Sequence, residues 1–372
     1  MLGGNMKVCV VGLRGIPNIM GGIETHCQQL YSRMDKQTQI TILGRSPYLK
    51  SSDYKFESIR IKSIWAIKNK FLETFLHTFL AILYAGIFFR PDIIHIHAIG
   101  PAIWTPLAKL FGCKVVVTHH GADYDRDKWN GFAKFILKTG ERAACHFADA
   151  VIVVGKSLTE ALQSEYPKKA ERIQHIPNGA FDNFSNDVSE SELPDDLNIK
   201  PDEYILSVAR LVPEKGLHDL IDAFNQSKIN KKLVIVGSAD HEDTYSKKLK
   251  SNASDNVIFA GRREGQALQA LYKFANLFVL PSYHEGLPIV ALEAISADTN
   301  VLLSDITPNK DILLPEANYY KVKNVSQLSQ KLMHTYPDKS PLNKEDYLKK
   351  YNWQLIADQT SGLYKSLHGG IS

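Results

Sequence analysis

Short, almost wholly apolar runs recur along the 372 residues, separated by longer segments of mixed polarity. Runs at 7–12, 40–43, 93–97, 115–118 and 150–154 read as strands. So do runs at 204–208, 233–237, 257–261, 277–280 and 301–304, the last of which is expected to close its series. Continuous apolar strands suit a parallel sheet covered on both faces. Helices are predicted between them at 23–34, 71–89, 132–147, 217–225 and 265–275, with a final one at 353–367. Strands that alternate with helices in this way predict an α/β fold class with parallel sheets. The rhythm breaks at 182–202, which is polar, acidic and contains proline. That stretch is expected to link an N-terminal domain at 1–181 to a C-terminal domain at 203–350. Residues 351–372 are expected to form a helix that packs back on the first domain. Two parallel-sheet domains facing each other would gather both sets of strand ends around one central cleft.

The segment 71–89 needs separate treatment. Its one charge is Glu73, and its length approaches a membrane span. It runs into Arg90-Pro91-Asp92 and then a strand, the hand-over of an α/β unit in which proline stops the helix. A buried or interface helix is expected. The basic lead-in, Lys62, Lys68 and Lys70, offers a membrane-surface patch as the alternative.

Hydrophobic content of 44% and charged content of 23% are ordinary for a globular chain, and the length favours two domains over one. Cys9, Cys27, Cys113 and Cys145 show no zinc or C-x-x-C spacing and fit free thiols in a reducing compartment. Residues 1–7 lack the design of a signal peptide, so a cytoplasmic location is expected, with peripheral association on the inner face of the plasma membrane as its extension. The net charge of +4 hides an asymmetry. Residues 1–180 carry 23 Lys/Arg against 14 Asp/Glu, and residues 181–372 carry 21 against 26. A basic first half suits an anionic partner, such as a phospholipid surface or a pyrophosphate-linked lipid. No compact basic-aromatic cluster points to nucleic acid.

The densest candidate chemistry follows the run at 277–280. Glu285-Gly286-Leu287-Pro288 forms the loop into a helix, and Glu293 lies further along that helix. Backbone N–H groups and the helix dipole make such an N-terminus an anion site. Carboxylates beside it can accept from hydroxyls on whatever carries the anion, and a phosphate beside a polyhydroxylated group describes a sugar nucleotide. Gly21-Gly22-Ile23-Glu24 closes a glycine-rich loop after the first strand, and lacks the G-x-G-x-x-G dinucleotide fingerprint. It reads either as a close approach for a phosphate or as a plain turn. The strand at 115–118 delivers His119-His120-Gly121-Ala122-Asp123 at its carboxyl end, where open α/β sheets place ligands. Arg210 and Pro213-Glu214-Lys215-Gly216 follow the strand at 204–208.

In this order and context the four blocks resemble retaining glycosyltransferases of family 4, whose fold, GT-B, is a pair of Rossmann-like domains. The Gly21–Glu24 loop, His120-Gly121, Arg210 with Pro213–Gly216, and the E-x(7)-E pattern from Glu285 to Glu293 carry the resemblance over about residues 6–366. The run through Asp123, Lys128-Trp129, Phe132-Ala133 and Gly140-Glu141-Arg142 is similar to a bacterial surface-polysaccharide subgroup with rhamnosyltransferase-like members.

The resemblance implies roles for these residues. Arg210 and Lys215 grip the donor diphosphate, and Gly21, Gly22, Gly286, Leu287 and Pro288 complete the anion site. Glu285 binds donor-sugar hydroxyls, Glu293 holds the ribose, and His120 contacts the sugar or the reacting centre. The base lies near Gly261 and Arg262. Glu24, His119 and Asp123 fall on the acceptor side. No metal or other cofactor is implied, and the substrate is a UDP-, GDP- or dTDP-sugar. Two departures stand out: Ser238-Ala239-Asp240 replaces a second glycine after Gly237, and His119 precedes His120. The expected reaction is hexosyl transfer with retention to a glycan or lipid-pyrophosphate-linked acceptor, in O-antigen, capsule or exopolysaccharide synthesis, by a monomer or weak homodimer. A nucleotide-sugar 2-epimerase of similar fold and a non-catalytic nucleotide-sugar-binding subunit are the alternatives.

Overall fold

The computed structural model describes residues 5–67, 72–126, 129–180, 188–239, 244–334 and 344–369. The chain divides into two compact units, Met1–Asn178 with Trp353–Ser372, and Gly179–Asn352.

The first unit is built on an eight-stranded sheet: β1 (Met6–Val11), β2 (Thr38–Arg45), β3 (Asp53–Phe56), β4 (Ile59–Ile64), β5 (Ile93–His97), β6 (Lys114–His119), β7 (Ala150–Val153) and β8 (Ile173–His175). Their order is β3-β4-β2-β1-β5-β6-β7-β8, and every neighbouring pair is parallel except β3 with β4. Val8, Val10, Ile94, Ile96, Val115 and Val117 are buried, which is the reason for their continuous apolar pattern. The strand order reverses between β1 and β5, so the loops leaving those strands diverge at one point along the edge of the sheet.

The second unit has six strands, all parallel: β9 (Tyr204–Val208), β10 (Lys232–Val236), β11 (Val257–Gly261), β12 (Leu277–Leu280), β13 (Val301–Ser304) and β14 (Tyr319–Tyr320). Their order, β11-β10-β9-β12-β13-β14, is the doubly wound dinucleotide-fold order, with its reversal between β9 and β12.

Three expectations needed correction. The strand at 301–304 does not close its series, because β14 pairs with it. The hairpin β3-β4 was not foreseen: its outer strand is mostly polar and half-exposed, so it lacks the apolar run that marked the other strands. The helix expected at 71–89 is described from Leu72; it is α-helical over Leu72–Tyr84 and a π-turn over Ala85–Phe89, ending at Arg90 in a left-handed conformation. By length and composition Leu72–Phe89 is apolar enough to cross a membrane. However, Ala81, Ile82 and Ala85 belong to the first unit's core, and Glu73 is buried against Arg45 at 3.2 Å.

The acidic stretch before β9 lies against the second unit, where Arg263 donates to Asp196 (2.5 Å) and Lys273 to the Val188 carbonyl (2.8 Å). The helix Trp353–Gly369 belongs to the first unit, where Gln354 donates to the Arg33 carbonyl and Lys365 pairs with Asp35.

Candidate active site

In the second unit, β9 and β12 are sheet neighbours, so the loops leaving their carboxyl ends lie side by side. The first loop carries Arg210, partly exposed, and a short 3-10 turn at Pro213–Lys215. The second carries Tyr283 to Pro288. Tyr283 N donates to the Glu214 carbonyl at 2.9 Å, and the Tyr283 hydroxyl donates to Asp219 at 2.6 Å. Gly216 makes this approach possible. Its φ is +63°, and a Cβ there would lie 2.1 Å from the Pro281 carbonyl oxygen. Lys215 Nζ donates to Glu285 Oε1 at 2.6 Å, and both side chains are largely buried. Seventy residues of sequence thus separate a cation and a carboxylate that form one pair.

Glu293 sits in the helix Ile289–Ser296, which starts after Pro288 without a side-chain cap. The Tyr272 hydroxyl donates to its carboxylate at 3.0 Å. Burial pushes the Glu293 carboxyl up to about 7, against the opposing pull of that hydrogen bond. Leu287 is buried, whereas Gly286 is partly exposed. At the end of β11, Gly261 is left-handed (φ +67°) with open space around it, and Arg262 is paired with Glu264. After β10, Gly237 N donates to the Gly261 carbonyl at 2.8 Å and Leu211 N to the Ser238 carbonyl at 3.2 Å, which ties β9, β10 and β11 together at this end. Asp240 lies outside the described residues.

In the first unit, Arg14 Nε donates to Glu24 Oε1 (3.1 Å) and holds the glycine-rich loop against the helix Gly22–Ser32. Glu24, in the first turn of that helix, is therefore buried against the loop. A Cβ on Gly21 would lie 2.0 Å from the Glu24 carboxylate and would push on its pairing with Arg14. Gly22 is different. A Cβ there would meet nothing within 4 Å, and it opens a helix with no side-chain cap. Bare backbone at an uncapped N-terminus leaves N–H groups to serve an anion.

The two adjacent histidines part company. His119 is fully buried and bonded to Glu141 (2.7 Å), which also accepts from the Tyr124 hydroxyl at 3.1 Å. His120 turns the other way, with its Nε2 3.0 Å from His97 Nδ1. His97 Nε2 meets the Tyr31 hydroxyl (2.7 Å), which also reaches His95 Nδ1 (2.8 Å). The Tyr364 hydroxyl meets His95 as well. His26 packs edge-on to His120, with ring centroids 4.8 Å apart. Burial holds all four imidazoles below their usual range: His26 at about 4, His95 at about 3, and His97 and His120 well down. They are neutral at physiological pH.

The sequence reading singled out His120 and passed over His26, His95 and His97. The available signal was the His95-Ile96-His97 alternation, which puts two imidazoles on one sheet face. Asp123 is paired with Arg126 at 2.6 Å. Lys62 lies 3.8 Å from Asp53 and 5.2 Å over the Tyr84 ring. Lys68, Lys70 and Lys128 lie outside the described residues.

Comparison with known proteins follows the same division. A family model described as Glycosyltransferase Family 4 matches residues 20–181, and one described as Glycosyl transferases group 1 matches residues 189–353. An uncharacterized glycosyltransferase of Methanocaldococcus jannaschii is 28% identical over 97% of this chain and 98% of its own. The capsular polysaccharide biosynthesis glycosyltransferase CapM of Staphylococcus aureus is 22% identical over 63% of this chain and 66% of its own. Among solved structures, sucrose-phosphate synthase from Thermosynechococcus elongatus superposes with a TM-score of 0.83 at 21% identity, covering 98% of this chain and 100% of that one. Anabaena HepE, solved with UDP and glucose, gives a TM-score of 0.77 at 17% identity, covering 97% and 100%. Two family models that take in both units, and solved neighbours that match the fold from end to end, make this chain a family 4-like glycosyltransferase of the GT-B fold.

Proposed function

We propose that this chain transfers a hexosyl unit, with retention at the anomeric carbon, from a nucleoside diphosphate-sugar to a hydroxyl of a lipid-pyrophosphate-linked glycan during surface polysaccharide synthesis. The observation that carries this reading is the Lys215–Glu285 pair at the strand-order reversal of the second unit. It holds a cation for a diphosphate beside a carboxylate for sugar hydroxyls, with Arg210 in the same loop system. Without donor, Glu285 neutralises Lys215. With donor, Lys215 and Arg210 turn to the phosphate oxygens, and Glu285 accepts from the sugar. Positive charge fixed at the leaving group stabilises the charge that develops as the glycosidic bond breaks. The bond from the anomeric carbon to the phosphate oxygen breaks, the acceptor oxygen bonds on the same face, and the departing phosphate oxygen takes the acceptor proton. Lysine and arginine supply the positive charge, so transfer proceeds without a metal ion.

UDP is the first nucleotide to test, since HepE has been solved with UDP and with UDP-glucose. Relatives named for teichuronic acid and capsular polysaccharide biosynthesis favour a surface glycan as acceptor. The membrane side of the reading rests on the basic first half and on Trp65, Phe88, Phe132 and Phe135, all exposed in the first unit. The test is a panel of nucleotide sugars with and without a lipid-linked acceptor, with the product's anomeric configuration read by NMR. Transfer with retention supports the proposal. Conversion of the donor to an isomer without acceptor would replace it with a 2-epimerase. Neutralising Lys62, Lys68 and Lys70 is expected to lower binding to anionic vesicles; unchanged binding removes the membrane role of that segment.

A further inference from the structure

The histidine cluster of the first unit has a feature that sugar transfer does not use. His26 is 2% exposed. Its Nδ1 is held by Asn178 Oδ1 at 2.8 Å, and its Nε2 has no hydrogen-bond partner among the described residues. A buried imidazole nitrogen normally has a partner, because leaving it bare forfeits its hydration. This nitrogen faces two others. His26, His97 and His120 each offer one nitrogen, and the three lie within 4.8 Å of one another. We infer that His26 Nε2, His97 Nδ1 and His120 Nε2 form a binding site for one divalent cation of the zinc class.

The geometry is close to what such an ion needs. Bonds of about 2.0–2.1 Å in a tetrahedron put two ligand nitrogens about 3.3 Å apart. His97 Nδ1 and His120 Nε2 stand at 3.0 Å. Since no separation exceeds 4.8 Å, His26 closes on the other two by at most about 1.5 Å. The outer nitrogens of His26 and His97 are already held by oxygen, as metal-bound imidazoles require. Asn178 takes His26 Nδ1–H, and the Tyr31 hydroxyl faces His97 Nε2. Tyr31 also reaches His95 Nδ1, so it can accept from His97 while donating onward. The ligating tautomer of His97 therefore forms without any change of charge. Burial keeps the rings neutral, with their lone pairs available.

Three imidazoles favour zinc, copper, nickel or cobalt over magnesium and calcium, which prefer oxygen. His120 is the partly exposed member of the set, so the fourth ligand position opens on its side. The effect on transfer rests on the role proposed above for His120: an ion that occupies its Nε2 fixes the ring, and acts as an inhibitor.

The test uses the full chain, stripped with chelator and titrated with cobalt(II) chloride. One equivalent is expected to bind and give the intense visible bands of a four-coordinate site, and zinc is expected to bleach them. His26→Gln is expected to weaken cobalt binding at least tenfold with an unchanged circular dichroism spectrum. Asn178→Ala, which frees the outer nitrogen of His26, is expected to weaken it less. No stoichiometric uptake by the wild-type chain in equilibrium dialysis at tens of micromolar overturns the inference, as does full binding by a folded His26→Gln. In the same samples zinc should inhibit sugar transfer in wild type and spare His26→Gln. Absence of transfer in the stripped wild type would instead defeat the metal-free reading of the reaction, and the cobalt spectrum would still decide the site.

Discussion

The Lys215–Glu285 pair permits a prediction in which stability can be restored without restoring activity. The two groups are 2.6 Å apart, with side chains 19% and 9% exposed. Lys215→Ala leaves a mostly buried carboxylate without its cation. Breaking a fully buried pair in this way costs about 3–5 kcal/mol. Partial exposure of Lys215 lets water reach the site, so the expected loss is about 2 kcal/mol. At about 2–4 °C per kcal/mol for a unit of this size, the melting temperature should fall by about 4–8 °C. Adding Glu285→Gln removes the stranded charge, so the double variant should recover most of that loss. Activity should not recover. Removing one preorganised charge from a developing anion costs about 10²–10³ in kcat. The assay is a melt and a donor-turnover measurement on wild type, both single variants and the double variant. Near-wild-type turnover in Lys215→Ala and in Glu285→Gln would refute the assignment. A double variant no more stable than Lys215→Ala would refute the claim that the loss comes from the stranded carboxylate.

Glu293 gives a pH prediction. Its folded pKa, about 7, lies above the ordinary 4.5, so the folded protein holds a proton that the unfolded chain releases between those values. Its contribution to stability is therefore unpenalised below about pH 4.5 and declines as pH rises through 7, by on the order of 2–3 kcal/mol. Glu293→Gln should flatten this decline in denaturant melts at pH 5 and 8, and parallel curves for the two proteins would contradict it. Gly216→Ala forces a side chain into the left-handed region against the Pro281 carbonyl; it should cost more than about 1 kcal/mol and weaken nucleotide binding in a thermal-shift titration. The two neighbouring histidines should separate cleanly. His119→Ala strips a partner from buried Glu141 and should lower stability by about 2 kcal/mol, whereas His120→Ala should lower turnover with a smaller effect on the melt.

Much of the fold was legible because parallel strands are buried on both faces and announce themselves as unbroken apolar runs. Ten strands were placed on that signal alone. The strands it missed, β3, β4 and β14, are short or lie toward a sheet edge, where no long apolar run forms. The loops bearing Lys215, Glu285 and Glu293 were legible through glycine, proline and charge at helix starts. The pairing of Lys215 with Glu285 was not, because it depends on β9 lying next to β12, a fact of strand order that no local pattern encodes. For the same reason the histidine cluster stayed hidden. Its members come from a helix, one strand and the loop after another, and only the His95-Ile96-His97 alternation hinted that two of them share a face. Geometry separates the two neighbours, with Glu141 bonded to His119 and His97 to His120, a division that the adjacent positions in sequence do not encode.

The placement of Trp353–Gly369 in the first unit bears on how the protein is made. Tyr364 reaches His95 across 269 residues of sequence. Synthesis runs from the N-terminus, and domains tend to fold as they emerge. Here the eight strands of the first unit leave the ribosome early, yet the helix that covers His95 is translated only after the whole of the second unit. The early unit therefore spends the interval with Tyr31, His95 and the surrounding core open on one side. A message cut short within the second unit yields a first unit that never closes.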